Sequence, residues 1–194
     1  MSKTPSKKTE YLNNFIPKEI SSPIKDSPGI SNTVYTHLLN LHRLLSDWAS
    51  VQEKGSKICK SVSALKLYEC DNNYYPYQTK PLIESLLAAL DALENVVKGV
   101  DLICSQMQAI AKLQSSNDPV INTWSVTEIA ENILNLMEKL HKEFHLKQII
   151  TENLAHCRDE NLIEVYVTAW EFETYFNMDS SAYLFAEVGL AGLS

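Results

Sequence analysis

The sequence has little glycine and no long apolar run. Glycine accounts for only 5 of the 194 residues, whereas leucine-rich segments with helical spacing recur along the chain, which favours helices over strands. Each uninterrupted apolar run is only a few residues long, whereas a membrane-spanning helix needs about 20. No charged segment followed by an apolar one opens the chain, so neither a signal peptide nor a membrane partner is expected.

Motifs that bind phosphate groups or activate a nucleophile are also missing. The sequence contains no glycine-rich phosphate loop, no nucleophile elbow and no paired-carboxylate signature in a supporting context. Its four cysteines are widely spaced within helical patterns, which is typical of reduced, buried thiols rather than a disulfide framework. The four are Cys59, Cys70, Cys104 and Cys157. We therefore expect no enzyme activity and no cofactor.

Two histidine-containing pairs are weak candidates for chemistry. His141 and His145 lie four residues apart, a spacing that can hold a metal ion on one helix face. No third ligand is placed by spacing, and the intervening residues differ from the zinc-protease arrangement. His156 and Cys157 are a base beside a thiol, but adjacent residues in a turn rarely face each other and no third group orients them. The preferred interpretation is exposed helix histidines, with no metal site and no catalytic residue.

Positive charge is absent from the C-terminal part of the chain. Residues 159–194 contain seven acidic residues and no Lys or Arg, a net charge of −7. Residues 1–30 contain five Lys against three acidic residues, a net charge of +2. An acidic face repels phosphate backbones, so direct binding of nucleic acid is not expected.

Residues 1–30 are rich in Ser, Pro and Lys and lack helical periodicity, which predicts a disordered tail. Candidate proline-directed phosphorylation sites in it are Thr4, Ser22 and Ser27. Thr4 and Ser22 are each followed by a lysine three residues later, the pattern that cyclin-dependent kinases recognise in an extended segment. We predict phosphorylation of Thr4 and Ser22 by such a kinase.

Residues 31–194 are predicted to form an all-α bundle domain of three long antiparallel helices plus short C-terminal helices. Ser31 is the expected N-cap of the first helix, and Gly55 is expected to mark a weak point or kink after which the apolar seam resumes in a shifted register. That seam comprises Val34, Leu38, Leu41, Leu45 and Trp48 before the glycine, and Ile58, Val62 and Leu65 after it. The second helix keeps a regular apolar stripe from Leu82 to Ile110.

The third helix is expected to start at a capping box, in which Ser125 and Glu128 satisfy each other's backbone N–H groups. Its predicted apolar face comprises Ile129, Ile133, Leu136, Leu140, Phe144, Ile150 and Leu154. A turn then leads to Asp159 as the N-cap of a further helix. A last short helix is expected over residues 180–188.

The acidic region after Asp159 contains two aromatic residues, Trp170 and Tyr175, that are candidates for partner binding. Core packing is the default interpretation of both side chains. If either belongs to a docking surface, the surrounding carboxylates favour a basic partner.

The part of the chain after residue 122 has a recognisable pattern. Thr123-Trp124 precedes the capping box, and the run KEFHLKQIITENLAH extends from Lys142 to His156. Further matching positions are Asp159, Tyr166, Trp170, Tyr175 and Glu187-x-Gly189. In these features the chain resembles the cyclin-dependent kinase 2-interacting protein family, as a divergent member.

This resemblance implies a nuclear, non-enzymatic adaptor. The partners it implies are cyclin-dependent kinase 2, the cell division cycle 7 kinase, the checkpoint ATR-interacting protein, and subunits of an AAA+ ATPase complex that serves ribosome maturation and replisome turnover. The alternative hypothesis is a structural coiled-coil subunit of a tethering or chromosome-associated complex. The mass in solution separates the two, since a subunit of that kind would self-associate in the absence of its partner helices.

Overall fold

The computed structural model of the chain describes residues 28–68, 77–114, 117–177, 179–187 and 189, and these residues form five helices. The helices are α1 Pro28–Tyr68, α2 Thr79–Leu113, α3 Val126–Leu154, α4 Glu160–Glu171 and α5 Asp179–Glu187. The prediction of an all-α fold with three long helices and short C-terminal ones is confirmed. The candidate phosphorylation sites Thr4, Ser22 and Ser27 lie outside the described residues, as does most of the predicted tail.

The helices form a four-position bundle in which two short helices share the fourth position. α2 packs against both α1 and α3, whereas α4 packs against α1 and α3 from the opposite side, and α5 packs against α3. Lys66 near the end of α1 donates hydrogen bonds of 2.7 Å to the carbonyls of Ala155 and Cys157, just past the end of α3. The C-terminal ends of α1 and α3 are therefore adjacent, and the two helices run in the same direction. α5 also contacts the first half of α1, where the centroid of the Phe185 ring lies 4.8 Å from the centroid of the His42 ring. The fourth wall of the bundle is therefore interrupted between α4 and α5.

The seam of α1 is buried as predicted in its first half but differs in its second half. The five predicted seam residues from Val34 to Trp48 are completely buried. Beyond them, the buried positions keep the same spacing through Gln52, Gly55 and Cys59. The predicted change of register is therefore wrong: Ile58 and Leu65 are only partly buried, and Val62, which is buried as predicted, continues the unshifted seam. α1 is helical on both sides of Gly55.

The start of α1 also differs from the prediction. The helix begins at Pro28, three residues before the expected N-cap Ser31. Proline is favoured in a first helical turn because its missing N–H would have no partner there.

α2 lines the core with apolar side chains from Ile83 to Met107. Tyr77, just before α2, is exposed, while Tyr74 and Tyr75 lie outside the described residues. Within the described part of the chain, every helix is too short or too polar to span a membrane.

The predicted caps of α3 and α4 are confirmed. The Ser125 hydroxyl accepts a hydrogen bond from the Glu128 N–H at 3.3 Å, and the Glu128 carboxylate accepts one from the Ser125 N–H at 2.8 Å. The hydrogen bonds that the Ser125 N–H and hydroxyl donate to this carboxylate lower the pKa of Glu128. The Asp159 carboxylate accepts from the first N–H groups of α4 at 2.9 and 3.3 Å. Each cap satisfies donors that a helix start leaves without an intrahelical partner.

A buried charged pair and the exposed face beside it

The core-facing seam of α3 contains two charged residues, Glu143 and Lys147. Both side chains are 0% exposed and form an ion pair of 2.9 Å between Lys147 Nζ and Glu143 Oε1. The predicted apolar face places Phe144 in this part of the core, but Phe144 is only partly buried. Burying two charges is costly unless their remaining hydrogen-bonding groups are also satisfied, so the surroundings of the pair explain its position.

The pair is surrounded by backbone groups at the end of α4 and in the segment that follows it. Lys147 Nζ donates a second hydrogen bond, of 2.9 Å, to the carbonyl of Trp170 in the last turn of α4. Glu143 Oε2 accepts from the N–H groups of Thr174 at 2.9 Å and Tyr175 at 2.7 Å. The last carbonyls of a helix have no intrahelical donor, and a cation near them is favoured by the helix dipole. The pair therefore satisfies backbone groups on both sides of the point where α4 ends.

Charge and burial oppose each other at Lys147. Removal from water lowers the pKa of its ammonium group, while the hydrogen bond and negative charge of Glu143 act to raise it. The ammonium group also lies 5.2 Å from the centroid of the Trp170 ring, within the range of a cation–π interaction.

Trp170 is the side chain that fills the space between α1 and this pair. It is 0% exposed, and its indole N–H donates a 3.2 Å hydrogen bond to the carbonyl of Gln52. Gly55 lies against the ring so closely that an added Cβ atom would be 2.6 Å from its Cε2 and Nε1 atoms. Gly55 is thus needed for the close approach of the indole.

The two candidate partner-binding residues differ in accessibility. Trp170 has no exposed surface, so in the folded chain it cannot touch a partner and acts by packing. Tyr175 is 50% exposed, and partner binding through it stays a prediction. The next residue, Phe176, is buried with its ring centroid 6.2 Å from that of Trp48, which holds this segment against α1.

Exposed apolar side chains on α4 and directly after it form what we call the α4 face. The face consists of Leu162, Val165, Phe172 and Tyr175. Leu162, Val165 and Phe172 recur on one side of α4 at about 100° per residue, and the same geometry places Glu160, Glu164 and Glu171 along one flank. Glu171 is additionally bound to Lys60 of α1 at 2.5 Å. The exposed side of α4 therefore carries apolar side chains along one edge and carboxylates along the other, with Asn161 and Thr168 between them.

The histidines that suggested a metal site have other positions. His141 is exposed, and its Nε2 lies 2.7 Å from Asp101 Oδ1 on α2, while His145 is exposed on the same helix. Among the described residues, no group of three His, Cys, Asp or Glu side chains is placed to hold a metal ion. Cys157 is partly exposed in the turn before α4.

The buried polar and small residues of this region were not predicted from the sequence, although the helical spacing contains a signal for them. Continuing the spacing of three and four residues from Leu140 leads to Glu143 and Lys147, and continuing it from Trp48 leads to Gln52 and Gly55. A polar or small residue at a seam position in two helices indicates a shared level of the bundle where another segment packs closely. Here the Trp170 side chain and the end of α4 occupy that level.

Comparison with curated proteins identifies relatives over most of the chain. It is 25% identical to the cyclin-dependent kinase 2-interacting protein of Homo sapiens and 27% identical to that of Mus musculus, in alignments that span 74% of this chain and 80% of either relative. The Bos taurus protein of the same name is 20% identical over 72% of this chain and 78% of its own length. No protein-family model matches the chain. The run from Lys142 to His156, which resembles the family, contains both members of the buried pair. The alignments and this run show that the chain is similar, as a divergent relative, to the cyclin-dependent kinase 2-interacting proteins.

Proposed function

We propose that this chain is a non-enzymatic adaptor that binds a cyclin-dependent kinase through the α4 face. The relatives from human and mouse are named for interaction with cyclin-dependent kinase 2, which supports a kinase of this class as the partner. The α4 face supports the location, because exposed aromatic residues are common anchors of protein interfaces.

The observation that carries the proposal is the anchoring of the α4 face by the buried pair. Glu143 binds the N–H groups of Thr174 and Tyr175, so the backbone that presents Tyr175 is fixed before any partner arrives. A surface that is already ordered loses less conformational entropy on binding, which improves affinity without additional contacts. The negative flank then favours a basic patch on the partner and speeds the encounter.

The proposal extends to the wider role implied by the family. We propose a nuclear protein that links cyclin-dependent kinase 2 and the cell division cycle 7 kinase to checkpoint signalling through the ATR-interacting protein. In the same proposal, the chain also serves as a subunit of an AAA+ ATPase complex in ribosome maturation and replisome turnover. Affinity purification from dividing cells with mass spectrometry tests this wider role, and recovery of none of these partners would count against it.

A binding measurement with purified proteins tests the location of the interface. The variant Val165→Ser/Phe172→Ala/Tyr175→Ala is compared with the unaltered chain for binding to immobilised cyclin-dependent kinase 2. Loss of the two aromatic anchors at about 1–2 kcal/mol each, together with Val165, predicts at least a tenfold weaker Kd. Circular dichroism melting confirms that the variant is folded.

The matched control lies on the opposite side of the bundle. Leu87 and Leu102 of α2 are 46% and 59% exposed, close to the 50% and 57% of Tyr175 and Val165. The variant Leu87→Ser/Leu102→Ser should bind the kinase as the unaltered chain does. An α4-face variant that keeps its affinity, or a control that loses it equally, would refute this location.

A further inference from the structure

We infer that the N-terminal segment of the chain docks on its own α4 face, and that proline-directed phosphorylation of that segment releases it. The inference rests on the α4 face being the binding surface of the proposed function. It concerns this chain alone, so its test requires no adaptor partner.

The occupant is chosen because its chemistry complements that of the α4 face. Residues 3–8 contain three lysines and no acidic residue, which suits the negative flank of α4. The apolar residues that follow at close spacing are Tyr11, Leu12, Phe15 and Ile16, and Lys18 closes the segment. A basic segment with apolar side chains between its charges is the kind of ligand that an apolar surface bordered by carboxylates attracts.

The flank of α4 beside the α4 face carries three carboxylates, those of Glu160, Glu164 and Glu171. Residues 159–194 include seven acidic residues and no Lys or Arg. Across the contact between α4 and α1, Lys60 is paired with Glu171. Glu160 and Glu164 are exposed on the same flank, where a cation from another segment can reach them.

The length of the segment is sufficient for this contact. α1 begins at Pro28, and Trp170 is bound to Gln52 on the same helix. The 24 residues between those two positions correspond to about 36 Å of helix. Phe15 is 13 residues before Pro28, which allows an extended span of about 45 Å. The apolar part of the segment can therefore reach the α4 face, with the basic part beyond it.

Phosphorylation reverses the charge that favours the contact. A proline-directed kinase transfers the γ-phosphoryl group of ATP to the hydroxyl oxygen of Thr4, Ser22 or Ser27. An O–P bond forms, the bond from the γ-phosphorus to the bridging oxygen breaks, ADP leaves with that electron pair, and the hydroxyl proton passes to the kinase or solvent. Each phosphate adds about −1.5 to −2, so three phosphates change the net charge of residues 1–30 from +2 to roughly −3. A segment with that charge is repelled by the acidic flank.

Photocrosslinking within the full chain tests the inference. A photoreactive benzoylphenylalanine replaces Phe15, the chain is irradiated at low ionic strength, and adducts are mapped by mass spectrometry. We expect adducts within one chain that map to residues 160–177. After phosphorylation by a cyclin-dependent kinase with ATP, verified by intact mass and followed by removal of the kinase, the yield should fall at least fivefold.

One charge variant tests the acidic flank of α4, and a second variant on α2 serves as its control. Glu160→Lys/Glu164→Lys should reduce the adduct to a similar extent, whereas Asp91→Lys on the exposed side of α2 should leave it unchanged. Adducts elsewhere in the chain, adducts only between two chains, no incorporation of phosphate, or an unchanged yield after phosphorylation would overturn the inference. If the tail fails this test while the α4-face variant still loses kinase binding, the proposed function stands without the tail contact.

Discussion

The variant Lys147→Met tests the role of the buried pair most sharply. It keeps an unbranched side chain of similar length but removes the ammonium group. Glu143 would then remain completely buried without a cation, and the carbonyl of Trp170 would lose its donor. Removing one partner of a buried ion pair costs about 3–5 kcal/mol of the free energy of unfolding. For a chain of this size, that corresponds to a fall in Tm of roughly 6–20 °C.

An exposed pair with the same spacing provides the control. Lys57 and Glu53 are also four residues apart, bound at 2.6 Å, but their side chains are 72% and 70% exposed. Lys57→Met should leave the free energy of unfolding nearly unchanged, because solvent screens such pairs. The measurement is urea denaturation followed by circular dichroism for both variants. Equal, small losses for the two variants would refute the assignment of a structural role to the buried pair.

A second measurement separates a local role from general destabilisation. Glu143→Leu removes the acceptor of the Thr174 and Tyr175 N–H groups. A lost hydrogen bond worth about 1–1.5 kcal/mol should raise the hydrogen-exchange rate of these two amides by about tenfold beyond any change in the α2 core. Equal acceleration of exchange across the bundle would contradict the local role of Glu143.

Two further predictions concern the packing around Trp170 and the buried thiol. Gly55→Ala places a methyl group against the indole ring and should destabilise the chain by about 1–3 kcal/mol. The control Gly29→Ala, with nothing within 4 Å of the added atom, should not destabilise it. Thermal melts compare the two variants, and equal Tm values would contradict the close approach of Gly55 to the ring. Burial raises the pKa of Cys59 from 9.0 to about 12, so its contribution to the free energy of unfolding is intact below pH 9 and declines as the pH rises toward 12. Denaturation at pH 8 and pH 10 should therefore show a larger loss for the unaltered chain than for Cys59→Ala, and equal losses would refute this assignment.

Much of the fold could be predicted from local patterns. The seam from Val34 to Trp48 and the caps at Ser125 and Asp159 depend on residues within a few positions of one another. Helical spacing and capping chemistry are sufficient to place such features.

The organisation around the buried pair depends on contacts that no local pattern contains. Charged residues are almost never fully buried, so the predicted apolar face of α3 did not include Glu143 and Lys147. Their burial becomes favourable only because α4 ends beside them and exposes backbone groups to be bound. Likewise, the depth of Trp170 depends on Gly55 in a different helix.

The most direct test of the account is hydrogen–deuterium exchange of the full chain with and without cyclin-dependent kinase 2, read by mass spectrometry. If the α4 face is the docking surface, residues 160–177 will exchange more slowly in the complex, while the exposed side of α2 around Leu87 and Leu102 will be unaffected. Protection confined to α2, or no change in residues 160–177 under conditions where the kinase is bound, would contradict the account.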